Sequence, residues 1–296
     1  QRLHVLTPVG MARRFWSSET LDQNRRFFIA VWQSVRLRLK NWRSRLANSI
    51  PRREDIMVRV TPLRIKRKKM QKGKPHFAEA SSGKFIVFEG SDGSGKTTQA
   101  KLLVSYLVKN KIAYKHISFP RYTDSLWGKM VRRYLNGDFG KLDSYLASML
   151  YAGDRFSASL EIRKWLIEGK LVVCDRYVAS NIGHQAGKMD SLSDQNKFIK
   201  WLENLEYGEN KIPREDLVIY LNVPVEVSRK LMSTRKKLDI HEKEKKHLDH
   251  AFSVYSRIAK ARAYWQTIDC TKNGELLSPD KVHANVLEIL KKKKIV

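Results

Sequence analysis

Two cysteines in 296 residues, Cys174 and Cys270, are too few for a disulfide framework. Their scarcity points to a reducing, cytoplasmic setting. Long apolar runs are missing as well. No stretch of 18 or more apolar residues occurs, so the sequence offers no membrane-spanning helix. Acidic residues are scarce: 30 Asp and Glu stand against 58 Lys and Arg, a net charge of +28. The shortage is uneven. Residues 1–82 carry 20 basic and 5 acidic residues, residues 83–296 carry 38 and 25. More than half the excess charge thus sits in little more than a quarter of the chain, which marks a boundary near Ser81-Ser82-Gly83.

The first segment does not read as a compact domain. Between Arg25 and Leu46, Phe28, Val31, Trp32, Val35, Leu39, Trp42 and Leu46 recur at near-helical spacing among basic residues, as in a basic amphipathic helix. Pro51, Pro62 and the run Lys66-Arg67-Lys68-Lys69 follow. Three readings stand for this arm: a charged surface for nucleic acid or an anionic membrane, an Arg-rich targeting segment, or a solvated tail or non-native start. The chain begins with Gln, and Met11, Met57 and Met70 are internal candidates for a start. The last reading is preferred, because no zinc-finger spacing or RNA-recognition motif supports nucleic-acid contact.

After Gly83, short apolar runs alternate with helical patterns. Strands are expected at 84–89, 114–119, 171–174, 217–221 and 267–270. Helices are expected at 97–109, 126–135, 142–168, 194–205, 225–235, 247–264 and 279–293, the last N-capped by Ser278. Wholly apolar strands separated by helices imply an α/β fold, a parallel sheet covered on both faces in three layers. Ligands of such sheets bind at the C-terminal strand ends.

The chemistry starts at Gly90-Ser91-Asp92-Gly93-Ser94-Gly95-Lys96-Thr97, which fits G-x-x-x-x-G-K-[ST] without a mismatch. The glycines let the backbone curl so that successive N–H groups meet phosphate oxygens. The following helix adds its positive N-terminal end. Lys96 is placed for the β- and γ-phosphates of ATP, and the Thr97 hydroxyl for Mg²⁺. An apolar strand before the motif and a helix after it are the context a P-loop requires. Leu171-Val-Val-Cys174-Asp175 puts a second acidic group for Mg²⁺ at a strand end, and Arg176 follows it, placed to meet phosphate.

Four motifs in order then resemble the thymidylate kinase family: residues 88–98 (Phe-Glu-Gly-Ser-Asp-Gly-Ser-Gly-Lys-Thr-Thr, ending in Thr97-Thr98), Phe119-Pro120-Arg121, Leu150-Tyr151-Ala-Gly-Asp154-Arg155, and Asp175-Arg176-Tyr177 with Ser180-Asn181 and His184-Gln185. The resemblance spans about Phe85 to Leu290 and implies a P-loop NTPase-type fold with a five-stranded parallel sheet. It implies phosphorylation of dTMP to dTDP by ATP and Mg²⁺, in dTTP biosynthesis, by a homodimer. By position it assigns Asp92 to the sugar 3′-hydroxyl, Arg121 and Arg176 to the acceptor phosphate, and Tyr151 to stacking on thymine. Arg155 falls to a thymine carbonyl, Gln185 to the base edge and Asn181 to the vicinity of base and sugar. His184 stands where relatives often show an aromatic residue. Position 93 is Gly where some relatives carry a catalytic Arg, so the resemblance places that charge in a basic lid at 228–246, on Arg235 with Lys236 or Lys237 as alternates. Asp239 and Glu242 then cap the following helix or contact lid arginines. His241-Glu242 is not a zinc site, since H-E-x-x-H would need His where Lys245 stands.

Rival readings lack their own marks. Adenylate and cytidylate kinases usually carry Gly after the P-loop Lys, where Thr97 stands, and deoxynucleoside kinases typically carry Glu-Arg-Ser in place of Asp175-Arg176-Tyr177. No Asn-Lys pair is followed by the Asp of a guanine-binding N-K-x-D.

Overall fold

The computed structural model describes residues 83–233 and 245–296, with the side chains of 232–247 also outside the description. The amphipathic pattern at 25–46 and the lid residues Arg235, Lys236, Lys237, Asp239, His241 and Glu242 therefore lie outside the described residues. A compact unit runs from Ala80 to Val296.

Five parallel strands form its sheet, in the order β2-β3-β1-β4-β5. They are β1 (Phe85–Glu89), β2 (Tyr114–Ser118), β3 (Leu171–Asp175), β4 (Leu217–Asn222) and β5 (Trp265–Asp269). All residues of β1 and β3 are buried, as expected of central strands covered on both sides. Their alternation divides two half-cores. Phe85, Val87, Val172, Cys174, Val218 and Tyr220 face one; Ile86, Phe88, Val173, Ile219 and Leu221 face the other.

Helices α1 (Lys96–Lys109) and α8 (Pro279–Lys292) cover the second half-core through Ala100, Leu103 and Leu107 and through Val282, Val286 and Leu290. The first is covered by α3 (Ser144–Ile167), α4 (Val178–Ala186), α5 (Leu192–Glu203) and α7 (Lys245–Ala261). The remaining helices are α2 (Leu126–Leu135) and α6 (Val225–Ser233). A short antiparallel pair, Thr271–Lys272 with Glu275–Leu276, precedes α8. None of the helices in the described residues is long and apolar enough to cross a membrane.

Three departures from the sequence expectations concern helix starts and ends. Helix α3 starts two residues late because Asp143 is its N-cap, its carboxylate accepting from the N–H groups of Tyr145 and Leu146 at 2.8 and 2.9 Å. Helix α5 passes into a π-helical turn, Asn204–Glu209, where a plain helix end was expected. Helix α4 was not foreseen. Its cap is Glu89 at the end of β1, which accepts from Tyr177 N at 2.8 Å and Ser180 N at 3.1 Å. A cap drawn from 88 residues away leaves no trace in the local pattern.

Register places the C-terminal ends of β1 and β3 side by side, Phe88 opposite Asp175. Helices α1 and α4 start just beyond them. This edge carries the site.

Candidate active site

Residues 90–95 turn between β1 and α1. Gly90 has a φ of 152°, and a Cβ there would lie 2.5 Å from Ser94 Oγ and 2.8 Å from Leu221 O. Only glycine lets the loop close so tightly. Lys96 folds back into the loop and donates to Gly90 O at 3.0 Å and Ser91 O at 2.7 Å. It is almost wholly buried. Burial first, and the neighbouring Arg176 next, pull its pKa down to about 8, although Asp92, Asp175 and Glu89 pull the other way.

Thr97 Oγ1 donates to Asp175 Oδ2 at 2.6 Å, which joins the P-loop helix to β3. The other oxygen, Asp175 Oδ1, is buried without a hydrogen-bond partner in the chain. A buried carboxylate oxygen left open beside a threonine hydroxyl fits Mg²⁺, an ion that prefers one or two carboxylates with substrate phosphates over an all-protein cage.

Next to the P-loop opens a cavity lined by Asp92, Tyr151, Arg155, Arg176, Asn181, His184 and Gln185 among others. The structure thus brings together six of the seven residues expected at the acceptor. Arg121 does not line the cavity, although Phe119, Pro120 and Tyr122 around it do. Asp154 holds it firmly. Arg121 N donates to Asp154 Oδ2 at 2.7 Å, Nε to Oδ1 at 3.1 Å and Nη2 to Asp154 O at 3.1 Å. The helix carrying Gly128 packs directly on this turn, since a Cβ on Gly128 would meet Arg121 O at 1.9 Å.

Arg176 has a left-handed backbone, with a φ of 67°. Its Nη2 donates to Asp92 Oδ1 in a close ion pair. His184 Nε2 lies 3.7 Å from the other oxygen of Asp92. Burial favours a neutral Asp92, but Arg176, His184 and Lys96 outweigh it and hold the carboxyl well below the usual carboxylate range. The two residues assigned to different parts of the substrate are here bonded to each other.

Arg155 is buried. Its Nε donates to Glu206 Oε1 at 2.9 Å, Nη2 reaches the same oxygen, and Nη1 donates to Tyr177 O at 3.3 Å. Two amides complete the cavity. Asn181 Nδ2 donates to Ser148 O at 3.1 Å, leaving Oδ1 without a partner. Gln185 Oε1 accepts from Lys188 Nζ at 3.1 Å, leaving Nε2 without one. A carbonyl only accepts and an ammonium only donates, so Ser148 and Lys188 fix which way each amide is turned.

Glu89, Asp154, Lys188 and Glu206 were not singled out from the sequence as site residues. Each acts by holding another residue, and no motif spacing marks such a role. Glu89 and Asp154 left a trace, Glu89 at the strand end that opens the P-loop and Asp154 inside the motif that ends in Arg155.

Comparison with known proteins bears on the whole unit. A family model described as Thymidylate kinase matches residues 88–280. The thymidylate kinase of Plasmodium falciparum is 33% identical over 204 residues, covering 69% of this chain and 90% of that protein. A probable thymidylate kinase of Methanococcus aeolicus is 36% identical over 222 residues, covering 72% and 98%. The solved thymidylate kinase of Candida albicans superposes with a TM-score of 0.61 at 25% identity, covering 72% of this chain and 93% of that one. With the family pattern filling most of the chain and its relatives matched nearly end to end, this chain belongs to the thymidylate kinase family.

Proposed function

We propose that residues 83–296 transfer the γ-phosphoryl group of ATP to dTMP, forming dTDP and ADP with Mg²⁺ bound. One juxtaposition carries the reading: a P-loop with Lys96 buried in it opens beside a cavity lined by Arg176 and by groups able to read a base. The P-loop amides and Lys96 gather the triphosphate. Arg176, and Arg121 as oriented by Asp154, bring the acceptor phosphate up and offset the repulsion between two anions. Tyr151 stacks on the base, and Arg155, Asn181 and Gln185 read its edge. Thr97 and Asp175 would hold Mg²⁺, which when bound screens the phosphate charge. The acceptor is already an anionic oxygen, so the chain needs no general base. The lid at 228–246 closes over the phosphates, expels water and supplies its cation from Arg235, or from Lys236 or Lys237.

The working form is a homodimer. Helix α3 leaves Phe156, Leu160 and Ile167 exposed by 52%, 79% and 74%, a helical stripe suited to the same stripe of a second copy. Residues 1–82 are read as an extension outside the catalytic unit, and deleting residues 1–69 is expected to leave phosphoryl transfer intact.

A coupled ADP-release assay over the nucleoside monophosphates tests the assignment. Turnover with dTMP well above the purine monophosphates is expected. Equal turnover of AMP or GMP would overturn it, and the dTMP to dUMP ratio measures the preference for the 5-methyl group.

A further inference from the structure

The π-helical turn Asn204–Glu209 sets one carboxylate beside the cavity, and phosphoryl transfer has no use for it. Glu206 is wholly buried, and its Oε1 accepts from both Nε and Nη2 of Arg155. The turn itself is pinned. Tyr207 OH donates to Glu215 Oε2 at 2.8 Å, and the Arg214 guanidinium lies 4.0 Å from the Tyr207 ring centroid. Tyr177 O takes a further N–H of Arg155 at 3.3 Å. Three of the five guanidinium N–H groups are thereby committed to the chain, and the side chain has little freedom left.

The cavity wall then has a definite polarity. Arg155 only donates. Arg155 lines the cavity, and its two uncommitted N–H groups complement a ring carbonyl such as that of a 4-oxo pyrimidine. A 4-amino pyrimidine presents an NH₂ donor in that place. It would set donor against donor.

We propose that Glu206 is a positioning residue that locks Arg155 in place as a fixed donor, so that the cavity rejects 4-amino pyrimidine nucleotides. The inference rests on the reading that this cavity takes the acceptor nucleotide. A guanidinium free to swing aside would give the amino group room. Held on Glu206, it cannot yield.

The test compares kcat/KM for dTMP and dCMP in the full chain, wild type against Glu206→Gln. The amide keeps the shape and removes the charge that holds Arg155. The dTMP to dCMP ratio is expected to fall roughly ten- to a hundred-fold, mostly through a raised KM for dTMP and improved use of dCMP. ATP KM is expected to stay within about twofold, because Glu206 bonds Arg155 and takes no part in the bonds of Lys96 and Thr97. A merely structural role would lower both substrates together, and an unchanged ratio overturns the proposal. Should Glu206→Gln fail to fold, the double variant Arg155→Met, Glu206→Leu carries the test, since replacing both members of a buried pair by apolar groups is tolerated where breaking the pair is not. That variant is expected to lose discrimination as fully, and wild-type discrimination in it overturns the proposal. If wild type itself does not phosphorylate dTMP, the reading of the cavity has failed before the positioning role is reached.

Discussion

Raising the pH should weaken ATP binding through Lys96. Its ammonium is buried in the P-loop, and burial together with Arg176 lowers its pKa from an ordinary 10.5 to about 8. That displacement corresponds to roughly 3 kcal/mol against the charged form in the free protein. A bound triphosphate favours the charged form, so ATP selects the protonated state and draws a proton with it. With half of the free protein neutral at pH 8, the apparent Kd should rise about twofold there and about tenfold at pH 9, relative to pH 7. ATP itself keeps constant charge over this range, its last phosphate proton being lost near pH ~6. Calorimetric titration of ATP with Mg²⁺ in buffers of different ionisation enthalpy reads both the Kd and the proton uptake. Lys96→Met should bind weakly and without pH dependence. The sign on stability is opposite. Between pH about 8 and 10.5 the unfolded chain holds this proton and the folded chain does not, so the apo protein gains stability over that window relative to Lys96→Met. A wild-type Kd flat to within twofold from pH 7 to 9, with no proton uptake, would refute the reasoning.

Asp154→Asn removes the carboxylate that fixes Arg121 through 2.7 and 3.1 Å bonds. It should raise the dTMP KM by about tenfold or more while sparing the ATP KM, as read by initial rates with each substrate varied. Gly128→Ala forces a methyl into Arg121 O, which the free Cβ position approaches to 1.9 Å. Thermal melting should show a loss of about 1–3 kcal/mol, several degrees in Tm. Leu160→Glu places a charge on the most exposed residue of the α3 stripe and should shift light-scattering mass from dimer to monomer; an unchanged mass removes that face from the interface.

Much of the fold was legible because its signals are local. The apolar runs of β1, β3 and β4 and the glycine punctuation of the P-loop each lie within a few residues, and the sheet follows from their alternation with helices. The residues expected at the acceptor came only from ordered motifs, and one cavity gathers Asp92, Tyr151, Arg155, Arg176, Asn181 and Gln185. What stayed hidden is the support for those residues. The cap of α4 arrives from Glu89, Arg121 is set by Asp154 at a separation of 33 residues, and Arg155 by Glu206 at 51. Such partners are chosen by the packing of whole elements, and no periodicity announces them.

Those hidden partners explain how one edge of a sheet carries so many cations without ligands. Crowded guanidinium and ammonium groups repel, and Arg176 adds to the burial that depresses Lys96. Each arginine of the site is accordingly met by a carboxylate from another element: Arg121 by Asp154, Arg155 by Glu206, Arg176 by Asp92. The three pairs differ in what a substrate can do to them. Asp154 and Glu206 are almost fully shut away and do not line the cavity, so a ligand cannot displace them and their arginines stay aimed. Asp92 lines the cavity with its partner. In the proposed reaction an entering phosphate takes over Arg176, and the freed carboxylate accepts a hydrogen bond from a sugar hydroxyl. Whether the carboxylate lines the cavity thus separates the pairs that aim the site from the pair that opens to bind.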